Sequence, residues 1–107
     1  MATKRRKGEK PVVHSLLLWS KDGPIAHKIK TGDHWLYAWI AQQAVPMPTL
    51  SRRSGVSLDR LDALWRGHDA AADELEALSG PFCTDVASLR ASIAFERAVR
   101  AKLKKQP

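Results

Sequence analysis

Cysteine is almost missing from this 107-residue chain. Cys83 stands alone, which excludes an intrachain disulfide framework and a cysteine-rich zinc site. Long apolar runs are missing as well. The longest uninterrupted stretch is Leu16-Leu17-Leu18-Trp19, far short of the ~18–20 residues that a membrane span needs. A basic start followed by Val12 to Trp19 looks superficially like a signal peptide. His14 and Ser15 break that stretch, however, and no small-x-small cleavage site follows it. A cytosolic protein is expected. No Gly-x-Ser-x-Gly, Walker loop or His-Glu-x-x-His segment occurs, so neither a catalytic site nor enzyme activity is expected. His14, His27, His34 and His68 are scattered, with no paired spacing and no carboxylate cluster nearby. No metal site and no cofactor are expected from them.

Acid is the other shortage. Asp and Glu number 11 against 18 Lys and Arg, a net charge of +7. Hydrophobic residues reach 44%, ordinary for a globular domain and too many for a wholly disordered chain. A small basic protein of this kind points first to nucleic acid. The position of the charge says more than its total. Residues 1–10 carry a net +4 through Lys4, Arg5, Arg6, Lys7 and Lys10 against Glu9. Residues 81–107 carry another +4, residues 11–48 only +1, and residues 49–80 are slightly acidic at −2. Basicity lies mainly at the two ends.

Residues 1–11 have no apolar anchors and end at Pro11, so they read as a flexible basic arm. Residues 12–32 form an N-terminal extension with two readings. Ser20-Lys21-Asp22-Gly23-Pro24 is turn chemistry, and Val12–Trp19 and Ile25–Lys30 can flank it as a small β-hairpin. Alternatively, Pro24 opens a short helix with Ile25 and Ile29 on one face. The hairpin is slightly favoured.

Residues 33–103 are mainly α-helical, in five helices, with a short tail at 104–107. Asp33 can cap a first helix whose Trp35, Leu36, Trp39, Ile40 and Ala44 make one buried stripe. Pro46 and Pro48 stop it and open a second, short helix that Gly55 closes. Ser57 caps a third, in which Leu58, Leu61, Leu64 and Trp65 repeat and which Gly67 ends. Asp69 can cap a fourth, with Leu75 and Leu78 facing inward. Thr84 starts a long fifth, with Val86, Leu89 and Ile93 on one face and Phe95, Val99 and Leu103 on another. Trp35, Trp39 and Trp65 are expected in the core. Trp19, in the least explained segment, is the tryptophan expected at a protein partner's surface. Cys83 reads as a small buried apolar residue.

Two short helices joined through Gly55 form a helix-turn-helix. Leu50, Val56, Leu61 and Leu64 supply the apolar grid that fixes the crossing, Ser51 is small where the helices touch, and Gly55 takes a positive φ. From Gly55-Val56-Ser57 through Ala63-Leu64-Trp65-Arg66-Gly67 the chain resembles the lambda repressor and Cro family, also called xenobiotic-response-element type. The likeness covers roughly residues 34–90, with Asp73-Glu74-Leu75-Glu76-Ala77-Leu78 and Asp85-Val86-Ala87-Ser88-Leu89 resembling the family's fourth and fifth helices. It implies a five-helix, lambda-repressor-like domain whose third helix lies in the major groove of double-stranded DNA. Ser57, Leu58, Asp59, Arg60, Asp62 and Ala63 then fall where family members present side chains to bases. Arg66 matches a phosphate-touching position, and Arg52 and Arg53 lie on the outer face of the second helix, close to the backbone.

Two departures matter. Met47 stands where many members have a phosphate-bonding Gln, and Asp59 and Asp62 put negative charge on the reading face, which costs free energy near phosphates unless paired. Affinity would come largely from Lys4, Arg5, Arg6 and Lys7 in the arm and from the basic last helix. The expected function is a sequence-specific transcriptional regulator, a repressor or phage- or plasmid-type control protein, homodimeric and nucleoid-associated. The alternative is an adaptor that reuses the helix-turn-helix to dock on a polymerase or nuclease; nonspecific nucleic-acid packaging is a third reading.

Overall fold

Why the chain turns helical at Pro24 is a matter of local chemistry. The proline ring presets φ for a first helical position, where a missing N–H costs nothing. Gly23 precedes it in extended backbone as the N-cap, and helix α1 (Pro24–Lys30) buries Ile25, Ala26 and Ile29 on one side. This is a correction to the favoured hairpin: its second strand is a helix, and no strand occurs among the described residues. The computed structural model describes residues 16–105, with side chains through Lys102. The arm, the first part of the expected hairpin and the contacts of Leu103 lie outside the described residues.

Five further helices follow: α2 (Trp35–Gln43), α3 (Met47–Ser54), α4 (Leu58–Trp65), α5 (Ala72–Ser79) and α6 (Val86–Lys105). The five expected helices are all present, and α1 makes a sixth. Helix α6 runs on into the expected tail, through Lys105.

Three caps differ from expectation. At α2 the cap is His34, not Asp33: the His34 Nδ1 accepts the Leu36 N–H at 3.1 Å. At α5 it is Ala71, and the Glu74 carboxylate takes up the Ala71 N–H at 2.9 Å. Asp69 lies two residues before that cap, and its carboxylate pairs with Arg97. At α6, Asp85 accepts the Ser88 N–H at 2.7 Å, while the Thr84 hydroxyl oxygen is buried without a hydrogen-bond partner among the described residues.

One apolar core joins all six helices' neighbourhoods. Trp39, Leu36, Leu50, Leu61, Leu64, Leu78, Phe82 and Leu89 are fully buried in it, and Ile25 and Ile29 of α1 belong to the same cluster. Along α6 the inward face is unexpectedly polar. Ser88, Ser92 and Glu96, spaced one helical turn apart, are all buried. Each meets a tryptophan: the Ser88 hydroxyl accepts the Trp19 N–H at 2.8 Å, the Ser92 hydroxyl accepts the Trp39 indole N–H at 3.0 Å, and the Glu96 carboxylate accepts the Trp35 N–H at 3.2 Å. Buried donors need such acceptors, so the seam satisfies what would otherwise be costly.

Two expectations about aromatic residues change. Trp19 is half-buried, its ring 5.2 Å from that of Phe95, so Leu16 and Leu18 are the exposed side chains of that segment. Trp65 is not core: it is 38% exposed and lies against Tyr37, ring centroids 5.5 Å apart. Cys83 is half-buried in a left-handed turn, φ 54°.

Candidate nucleic-acid interface

Helix α3 ends because Gly55 adopts φ 83°, with its N–H bonded to the Ser51 carbonyl at 2.8 Å. That left-handed conformation is open to glycine at little steric cost. The Ser54 hydroxyl accepts the Val56 N–H at 3.1 Å, so the turn between the helices is internally satisfied. Ser57 then caps α4 through its hydroxyl, which accepts the Arg60 N–H at 3.1 Å. Leu50, Val56, Leu61 and Leu64 are all buried, so the expected grid does hold α3 against α4. Met47 is partly buried against the same core.

The grid turns the rest of α4 outward. Ser57, Leu58, Asp59 and Asp62 are exposed, and Leu58 is 49% accessible despite its place in the leucine repeat. Ala63 is only partly accessible. Arg52 and Arg53 are exposed on α3. Lys4, Arg5, Arg6 and Lys7 lie outside the described residues.

Arg60 is less exposed than Asp59 and Asp62. Its guanidinium turns away from the outer face and grips the Glu74 carboxylate with both oxygens engaged, Nε to Oε2 at 2.5 Å and Nη2 to Oε1 at 3.0 Å. A further bond at 2.7 Å runs to the Asp69 carbonyl. The bidentate pair ties α4 to α5 and holds the Glu74 carboxyl below its usual range, chiefly through the hydrogen bond from Arg60. So engaged, Arg60 has its Nε and Nη2 donors committed within the protein. Arg66 is also engaged, but on the surface: it bridges Asp62 one turn back at 2.8 Å, with both side chains well exposed. Asp62 is thus neutralised within α4, while Asp59 has no ion pair or hydrogen bond among the described residues.

Beyond the C-terminal end of α4 lies a cleft of about 330 Å³ lined by His34, Trp65, His68, Arg97 and Arg100 among others. Its arginines are matched by acids, Arg97 with Asp69 and Arg100 with Glu96. The exposed Tyr37–Trp65 pair beside it was not foreseen. The signal was present: Trp65 is the last residue of its helix, two before Gly67, where burial usually gives out. Among the described residues no helix is long and apolar enough to cross a membrane, and no cluster of His, Cys, Asp and Glu could hold a metal ion. Comparison of the chain with protein-family models, curated proteins and solved structures found no match.

Proposed function

We propose that this protein is a sequence-specific, double-stranded DNA-binding regulator of the lambda repressor and Cro type, reading the major groove with α4. The observation that carries the reading is the α3–Gly55–α4 unit. A buried four-residue apolar grid fixes the crossing of two short helices and leaves the outer face of the second exposed, with Arg52 and Arg53 exposed on the first. This is the arrangement in which one helix enters the groove while the other crosses the backbone. Phosphate contacts would come from Arg52 and Arg53, and from Lys4, Arg5, Arg6 and Lys7. A homodimer on two half-sites belongs to the same proposal, and Leu16 and Leu18 are exposed apolar groups it could use.

Selection from a random duplex pool, in the presence of excess random competitor, tests the reading. Enrichment of a defined motif is expected; no enrichment would overturn it. A second reading, the adaptor, is favoured by one observation: Leu58, Asp62 and Trp65 are exposed at helical spacing on α4, with Tyr37 packed on Trp65, an apolar and acidic face suited to a protein partner. It predicts little duplex affinity under the same conditions.

A further inference from the structure

Six side chains of α4 and its caps are exposed; three of them are already committed, and a fourth, Trp65, packs against Tyr37 at the C-terminal end of the helix. The Ser57 hydroxyl caps the helix, and Asp62 and Arg66 neutralise each other at 2.8 Å. Arg60, the remaining polar candidate, is drawn off to Glu74. Leu58 and Asp59 are left, adjacent residues in the first turn, both exposed and, among the described residues, neither engaged in a polar interaction. The first turn is where a recognition helix reaches base edges.

Each of these side chains can recognise only a limited chemistry. A carboxylate is acceptor-only, so it needs a donor. In the major groove guanine offers two acceptors and thymine one, and adenine sets an acceptor, N7, next to its N6 amino group. Cytosine alone offers its N4 amino donor without a competing acceptor. A leucine side chain forms no hydrogen bond, and the apolar group on a base edge in that groove is the thymine methyl. We infer that Leu58 and Asp59 are the specificity-determining pair of this surface, Leu58 packing on a thymine methyl and Asp59 accepting from a cytosine N4 amino group in the same half-site. The inference rests on the DNA-binding reading above. It also gives the unpaired acid a purpose: Asp59 is repelled by phosphates everywhere, so it lowers random binding while penalising guanine and thymine at its own position.

Base and side-chain changes made together test it, using the full chain and the duplex enriched by selection. Both residues are exposed, so Leu58→Ala and Asp59→Asn should keep the helical circular dichroism of the parent. Replacing the contacted thymine by deoxyuracil removes one methyl and should weaken the parent about three- to fivefold, with no further loss for Leu58→Ala. Replacing the contacted cytosine–guanine pair should weaken the parent at least about tenfold. Asp59→Asn should bind random duplex more tightly than the parent and move the preference toward adenine, which an amide pairs well. A selected motif indifferent to both base changes would overturn the inference and leave the DNA-binding reading standing. So would an Asp59→Asn variant that gains equally on every sequence. Failure to select any motif would remove both.

Discussion

His34 holds the first turn of α2 with a ring nitrogen that must stay unprotonated. Its Nδ1 accepts the Leu36 N–H, and an imidazolium has no acceptor to offer. Burial pushes its pKa below the ordinary value of 6.5; the Glu96 carboxylate pulls the other way, and Arg100 reinforces the depression. Because the folded value is lowered, the unfolded chain takes the proton first. Stability is therefore fully present above about pH 6.5 and falls as the pH drops toward the lowered folded value. Asparagine keeps a capping oxygen without titrating there. Thermal melts across this window should show the parent losing stability on acidification and His34→Asn losing less; parallel curves would refute the assignment. Residue-level roles were only partly legible in the sequence. Ser57 and Gly55 could be read because their partners are a few residues away. Arg60 could not, since Glu74 sits 14 residues along the chain in another helix and reaches it only after folding.

Among the helices, the polar seam of α6 decides how the element packs. Ser88, Ser92 and Glu96 at one-turn spacing resemble a solvated face in sequence, yet each is buried and accepts from a tryptophan N–H. Removing the Ser92 hydroxyl would leave the Trp39 indole N–H unpaired in the core. Ser92→Ala should cost about 1–3 kcal/mol in chemical denaturation, the penalty of a buried donor left unsatisfied; an unchanged midpoint would show that Trp39 finds another acceptor. Apolar residues at helical spacing marked α2, α4, α5 and α6, and Pro46, Pro48 and Gly55 marked α3, whose eight residues include a single leucine. Periodicity faltered at α1, where seven residues follow a turn whose chemistry suits a hairpin as well. The caps at α2, α5 and α6 differ for a local reason: each helix starts one or two residues later than its expected cap implied, so His34, Glu74 and Asp85 make the terminal hydrogen bonds within two or three residues.

Over the whole molecule, a net charge of +7 overstates what the proposed reading surface can offer phosphates. Residues 49–80 are net −2, and two of their four arginines, Arg60 and Arg66, are spent on acids. Arg52 and Arg53 remain. If Arg53 contacts a phosphate, Arg53→Ala should weaken all duplexes alike and reduce the slope of log affinity against log salt by about 1. A slope unchanged from the parent, measured by titration at several salt concentrations, would place Arg53 away from the backbone. The position of Trp65 has a different kind of consequence. Trp35 and Trp39 are buried and Trp19 is half-covered by Phe95, whereas Trp65 meets solvent at the end of α4. A small soluble quencher such as iodide reaches such an exposed indole before the buried ones, so the chain carries its own optical reporter, a few residues from the surface it would report on.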